Sequence, residues 1–224
     1  MSDFPDKKSK GDYAVVALRA AVSLVPKYGG PALELIGLIN TPLEKRKVDW
    51  FNDLADRLKK LEDEGFSFLN LEENDEFITI VVHATQVAIR NHEEAKLEAL
   101  KNAVINTAKG INVQANLHIM FLSYIDLMSP LHLLVLKYFQ DPQGACLTRK
   151  VDSNKYMMGG AATLLEDCFP ELRGQRELYD TIYGDLAVKG LVAQGGLHAT
   201  VSAYGMKEKR TTAMGENFIR FISE

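Results

Sequence analysis

Cysteine and proline are scarce in this sequence, and neither sign of charge dominates it. The 224 residues include 2 cysteines and 7 prolines, and 26 basic residues nearly balance 30 acidic ones. Because Cys146 and Cys168 lack the spacing of metal ligands, they indicate no zinc site or disulfide scaffold and suit a reducing cytoplasm. A net charge of -4 does not draw the whole chain to nucleic acid, although a local basic face is compatible with it. We expect a cytoplasmic globular protein.

Motifs for catalysis are missing as well. The sequence contains no phosphate-binding loop, no G-x-S-x-G and no H-E-x-x-H. Its histidines are scattered, and each is better explained as a single packed or exposed side chain than as a metal ligand. They are His83, His92, His118, His132 and His198. We expect Cys168 to be a small buried residue, because no base that would activate it is identifiable. The sequence therefore predicts no catalytic residue, no cofactor and no metal, and so no enzyme.

Two apolar stretches near the start are each shorter than the roughly 20 residues that span a bilayer. Residues 1–12 are polar and predict a flexible tail. Residues 14–40 together could form an apolar hairpin in a membrane interface, but they are better explained as part of a soluble core. An exposed hairpin would instead bind a second copy of the chain, which predicts a homodimer. The candidate contacts for self-association or a membrane are Val15, Val16, Leu18, Val22, Leu24, Leu33, Ile36 and Leu38.

Apolar residues recur every three or four positions and predict a helical bundle over residues 13–128. Thr41-Pro42 and Asn74-Asp75 are typical starts of helices, and we expect a short helix from Pro31 to Ile39 to end before Thr41. Asn102 and Asn106 are one helical turn apart, so we expect them to hydrogen-bond a backbone turn or each other.

Residues 129–224 show a different pattern. Ser129-Pro130 predicts a helix start, and another helix is expected from Leu172 to Lys189. A Gly-rich turn at residues 194–196 joins two short apolar runs, 191–193 and 197–203, and predicts a β-hairpin. The predicted fold class is mainly α: an N-terminal helical bundle followed by a C-terminal domain with one small β-hairpin.

The runs YDTIYGDLAVKGLVAQGG and TAMGENFIRFI resemble the third helix, first wing strand and closing helix of the winged helix-turn-helix superfamily. The resemblance covers residues 129–224 and implies either DNA binding or protein interaction. This region holds 11 basic and 11 acidic residues, and that neutrality favours protein contacts over phosphate binding. The candidate nucleic-acid contacts are Arg173, Arg176, Lys189, Lys207, Lys209 and Arg210.

The segments PLEKR, RNHEEAKLEALKNAVINTA and SPLH resemble a family of uncharacterised bacterial helical proteins of the abortive-infection (Abi-alpha-like) type. Such relatives occur among phage-defence and mobile-element genes, and the resemblance implies no catalytic residue. The expected function is a non-enzymatic interaction protein with a protein partner or a second copy, as an accessory factor in phage defence or mobile elements. The alternatives are a winged-helix DNA-binding regulator and a membrane-active effector that uses residues 14–40.

Overall fold

The computed structural model describes residues 33–66, 71, 74–111 and 115–223, with the backbone alone at residues 33–41 and a few other positions. The predicted tail and the first part of the predicted apolar hairpin lie outside these ranges. The chain divides into two compact units. One consists of residues 1–127 with 221–224, and the other of residues 128–220.

Four helices make up the described part of the first unit: α1 (Leu33–Asp63), α2 (Asp75–Arg90), α3 (Glu94–Ala108) and α4 (Ala115–Leu127). Trp50, Leu54, Leu58 and Leu61 follow a helical period along α1, and all four are buried. Helix α2 begins where the sequence predicts it, because the Asn74 side chain accepts the backbone N–H of Phe77 at 3.0 Å. Packing of α2 against its three neighbours builds the core.

Helix α1 differs from the prediction at its first half. The sequence predicts one helix ending near Ile39 and another starting at Pro42, whereas a single 31-residue helix runs through Pro42. Proline inside a helix removes one hydrogen bond and costs roughly 3 kcal/mol. Burial of the apolar face that follows along α1 offsets this cost, so the helix continues.

The second unit contains shorter elements. It begins with α5 (Pro130–Gln140) and α6 (Pro142–Thr148), followed by strand β1 (Met158–Gly159) and α7 (Ala161–Cys168). A 3-10 turn (Pro170–Leu172) leads to α8 (Arg176–Val188). Strand β2 (Val201–Ser202), α9 (Ala203–Met206) and α10 (Ala213–Ile222) complete it, and the last two residues of α10 count with the first unit. Helices α5 and α8 pack together around the buried aromatic rings of Phe139 and Tyr183, whose centroids are 5.0 Å apart.

Only the second of the two runs predicted to pair contributes to the sheet, and its partner strand lies elsewhere in the chain. Strands β1 and β2 pair antiparallel, with Met158 opposite Ser202 and Gly159 opposite Val201. Val192, predicted to lie in the first strand of the hairpin, instead forms an isolated bridge with Thr211. The fold class is nevertheless the predicted one: the described chain is mainly helical with one small two-stranded antiparallel sheet. The winged-helix resemblance stays a prediction.

Candidate functional site

Three of the basic residues predicted to touch nucleic acid are paired with acids of the same unit. Arg173 lies 2.9 Å from Asp167 and Arg176 lies 3.4 Å from Asp180. Lys209 forms an ion pair with Glu216. Each carboxylate offsets the positive charge that a phosphate would need, so these side chains do not form a basic face.

The other three predicted contacts occupy different surroundings. Lys189 follows the last turn of α8, and Lys207 donates a hydrogen bond to Asn154 Oδ1 at 2.7 Å. The guanidinium of Arg210 lies 6.0 Å from the ring centroid of Phe139, and its backbone N–H donates to the Phe139 carbonyl at 2.9 Å. Arg210 therefore connects the segment before α10 to α5.

Ser129 and His132 close the first turn of α5. His132 Nδ1 accepts the backbone N–H of Ser129 at 3.2 Å and lies 2.8 Å from Ser129 Oγ. Its other ring nitrogen, Nε2, lies 3.5 Å from Asp185 of α8. Burial lowers the pKa of His132, and Lys189 lowers it further while Asp185 raises it. The Ser129 side chain accepts the backbone N–H of His132, and the His132 ring accepts the backbone N–H of Ser129. This reciprocal pair is a capping box, which fixes the start of α5.

The most exposed apolar side chains of the second unit include three that lie beside the small sheet. Met157, Met158 and Tyr204 are 88%, 67% and 82% exposed. The backbone N–H of Ala203 donates to the Met157 carbonyl at 3.0 Å, so these side chains come from two hydrogen-bonded segments. We name Met157, Met158 and Tyr204 the sheet face.

Two glycines next to the sheet face have close neighbours. A Cβ on Gly160 would come 2.8 Å from the carbonyl oxygen of Leu197, and one on Gly159 would come 3.0 Å from Met206 Cε. The backbone at Gly160 therefore lies close to the Leu197 carbonyl, whereas Gly159 faces the end of the Met206 side chain. The chain immediately after β1 is thus packed closely against the Leu197 backbone.

Asp167 anchors the loop that leads into β1. Its carboxylate accepts the Tyr156 hydroxyl at 2.7 Å and pairs at 2.9 Å with both Lys155 and Arg173. Burial raises the pKa of Asp167, but the hydrogen bonds from Lys155, Tyr156 and Arg173 outweigh this and hold it below its ordinary value. The loop is therefore tied to α7 immediately before the sheet face.

Replacing Asp167 with asparagine is expected to loosen that loop. The folded-state pKa of Asp167 is depressed, so its contribution to stability is present above the unfolded pKa of about 3.9 and is lost as the pH falls through the folded value. Asp167→Asn should accordingly make residues 149–160 more susceptible to proteolysis at pH 7, and the difference from the parent should shrink as the pH falls below about 4. The matched variant Asp152→Asn changes an exposed acid in the same loop. Equal susceptibility of both variants at pH 7 would contradict the anchoring role.

Cys146 and Cys168 connect α6 and α7 in the core of this unit. Both are buried, as expected for Cys168, and their sulfur atoms lie 3.2 Å apart. Burial raises the pKa of the Cys168 thiol to about 12, and the hydrogen bond with Cys146 adds to this. A thiol that stays protonated at neutral pH packs as a small apolar group.

A groove of about 390 Å³ lies on the first unit. Its lining is Arg57, Lys60, Leu61, Glu64, Asn102, Ile105, Asn106 and Lys109. Its arginine, Arg57, is occupied by Glu98 at 2.6 Å and by Asn102 Oδ1 at 3.1 Å. The guanidinium of Arg57 already donates within the protein, so it is less available to a ligand in the groove.

The predicted contacts near the start of the chain lie at or beyond the edge of the described residues. Val15, Val16, Leu18, Val22 and Leu24 lie outside the described residues. Leu33, Ile36 and Leu38 belong to the first part of α1, and at these positions only the helical backbone is described.

Two further properties concern metals and membranes. Within the described ranges, no group of three or more His, Cys, Asp or Glu side chains could hold a metal ion. No single described helix is long and apolar enough to cross a membrane, although the segments Leu117–Leu127 and Pro130–Gln140 meet that criterion together as a broken pair.

The sequence pattern did not predict the sheet face, because Met157 and Met158 come close to Tyr204 in the fold only through the pairing of β1 with β2. The adjacent methionines at 157 and 158 were a usable signal, since two large apolar residues between charged and Gly-Gly segments fit no helical stripe.

Comparison with protein-family models, curated proteins and solved structures found no match to this chain.

Proposed function

We propose that this chain is a non-enzymatic interaction protein that binds a protein partner through the sheet face. One observation carries the proposal: Met157, Met158 and Tyr204 are 67% to 88% exposed beside the same two-stranded sheet. Leaving several large apolar side chains in water is unfavourable, and exposed apolar side chains that come from two hydrogen-bonded segments are typical of an interaction site.

The chemistry of these side chains favours a protein as the partner. Tyrosine and methionine are enriched in protein interfaces, tyrosine because it combines a large apolar ring with a polar hydroxyl. Methionine is flexible and adapts its shape to an opposing surface. The pairing of β1 with β2 supports the proposal too, because hydrogen-bonded segments lose less freedom on binding than free ones. Participation in phage defence or in mobile-element biology belongs to this proposal and rests on the family resemblance.

A site-specific photo-crosslinker tests the proposal. Placed at Met158 in cells that express the chain natively, it should give a discrete adduct with a second protein. The matched position is Val188, which is 87% exposed and is the last residue of α8, outside both strands of the sheet. We expect at least about tenfold more adduct from position 158, since contacts near the centre of an interface dominate binding.

A second substitution tests whether the adduct depends on the sheet face. Tyr204→Glu in the crosslinking chain should remove most of the adduct while leaving the helical circular dichroism unchanged, because Tyr204 is exposed. Equal labelling from positions 158 and 188, or an adduct that survives Tyr204→Glu, would refute the proposed interface.

A further inference from the structure

We propose that Cys146 and Cys168 form an oxidation site, at which the folded chain closes an intrachain disulfide when it meets a low-molecular-weight disulfide such as oxidised glutathione. The inference concerns the interior of the second unit and goes beyond the proposed function, since it needs no partner at the sheet face. It follows from the positions of the two sulfur atoms and of the chain between them.

The two thiols lie close to bonding distance. Their sulfur atoms are 3.2 Å apart, and a disulfide bond of about 2.0 Å requires them to close a gap of only about 1.2 Å. The cysteines are 22 positions apart in the chain and lie in α6 and α7, which pack against each other. The sequence has 2 cysteines in all, so an intrachain disulfide can form only between these two.

Burial protects the pair in its reduced form. Both side chains are 1% exposed. Burial and the hydrogen bond with Cys146 raise the pKa of the Cys168 thiol to about 12. Because the thiolate is the reactive form, exchange with an oxidant begins only when α6 or α7 opens locally and releases a thiol into water. Closure of the structure then brings the second sulfur beside the first, and burial excludes the small thiols that would reverse the reaction.

Thiol–disulfide exchange in two steps forms the bond. The thiolate of one cysteine attacks a sulfur of oxidised glutathione, which gives a mixed disulfide and releases one glutathione thiolate. The thiolate of the second cysteine then attacks the cysteine sulfur of that mixed disulfide and releases the other glutathione. Both protons pass to the released thiolates, so the chain loses two electrons and oxidised glutathione is reduced to two thiols.

The bond closes a ring of chain that carries part of the sheet face. Residues 147–167 lie between the cysteines and include β1, Met157 and Met158. A crosslink across this length lowers the entropy of the unfolded chain, and the short distance between the sulfurs keeps strain in the folded chain small. We therefore expect the oxidised second unit to keep its fold and to be more stable than the reduced one.

A catalytic dithiol fits the pair less well. Thiols that exchange disulfides with other proteins are partly exposed and have a lowered pKa, whereas both cysteines are buried here and the pKa of Cys168 is raised. A metal site would need further ligands, and the described part of the chain holds no group of three or more His, Cys, Asp or Glu side chains that could bind an ion.

Equilibration of the full chain with reduced and oxidised glutathione tests the inference. Exchange is quenched with acid, free thiols are alkylated and counted by mass spectrometry, and the folded chain is compared with the same chain in urea. Because the fold and the disulfide stabilise each other equally, we expect the equilibrium constant for the intrachain disulfide to be about a hundredfold higher in the folded chain. The product should be a monomer without an alkylated cysteine.

Two controls show that equilibrium is reached and that the bond acts on the fold. The disulfide form, made in urea and refolded in the same buffers, should reach the same ratio of oxidised to reduced chain. Hydrogen exchange of the α8 amides should slow by about tenfold or more in the oxidised chain, because the bond raises the stability of the unit. Excess reductant should restore the exchange rate of the reduced chain.

The other products and responses would overturn the inference. These are a folded-to-unfolded ratio of equilibrium constants below about threefold, a glutathione adduct or a disulfide-linked dimer as the main product of the folded chain, and no slowing of α8 exchange after oxidation. Each would show that the native positions of the sulfurs do not favour the bond. None of them bears on the crosslink at position 158, so the proposed function is tested separately.

Discussion

Asn106→Asp is expected to destabilise the first unit by about 3 kcal/mol at neutral pH, because a buried carboxylate replaces the amide that donates two hydrogen bonds. The Asn106 amide nitrogen donates to the carbonyl oxygens of Phe221 and Ser223, at 3.0 and 2.7 Å. Asn106 is 2% exposed. A carboxylate there has no N–H to donate and would direct negative charge at two carbonyl oxygens, which form the negative end of helix α10.

The loss of stability should depend on pH. Facing two acceptors in a buried position, the introduced carboxyl would be favoured in its protonated form, so its folded pKa is raised above the value of about 3.9 for an exposed aspartate. A raised folded pKa means that stability is greatest below about pH 4 and is lost as the pH rises through the folded pKa. The difference between the variant and the parent should therefore widen from pH 4 to pH 8.

Fluorescence of the single tryptophan measures this effect. Trp50 lies in α1, is buried, and donates from Nε1 to Thr85 Oγ1 at 3.0 Å, so urea unfolding followed at Trp50 reports the first unit. The matched variant is Asn102→Asp, because Asn102 Oδ1 already accepts from Arg57 and its amide donates to the Ile222 carbonyl alone. It should cost about 1 kcal/mol. Similar, pH-independent losses in both variants would show that the amides of Asn102 and Asn106 do not hold the chain end.

Elements that depend on local chemistry were predictable from the sequence. The Asn74 cap and the Ser129-Pro130 start place α2 and α5 correctly, because a cap needs only its own helical turn. The expectation that Asn102 and Asn106 bond a backbone turn is confirmed, since spacing of one turn aligns both amides on the same face of α3. Which turn they bond, more than 110 residues away along the chain, was beyond any local pattern.

Elements that depend on distant partners were not predictable from the sequence. The turn at residues 194–196 has the composition of a hairpin, yet Val201 and Ser202 pair with residues 158 and 159, because a strand needs a partner that local sequence does not specify. Pro42 is a local stop signal that the packing of α1 overrides. The sheet face was missed for the same reason, since its two segments become neighbours only through that distant pairing.

Gly215→Ala is expected to destabilise the second unit by about 2–3 kcal/mol, although alanine is the better helix former. A Cβ at Gly215 would lie 1.9 Å from the carbonyl oxygen of Leu191 and 2.9 Å from its carbonyl carbon. That oxygen is held in place because it accepts the backbone N–H of Thr212 at 3.1 Å. Relief therefore requires a shift of α10 or of the segment after α8, and no side-chain rotation can supply it.

Gly184→Ala is the matched control, since the same substitution is made inside helix α8, where the added Cβ has nothing within 4 Å. It should stabilise the unit by about 0.5–1 kcal/mol through lower backbone entropy in the unfolded chain. Hydrogen exchange of the α8 amides, measured in both variants, reports the second unit, which has no tryptophan. Opposite signs are the expected result. If Gly215→Ala instead protects α8 as Gly184→Ala does, the close approach of α10 to Leu191 is wrong, because helix propensity alone would then govern both sites.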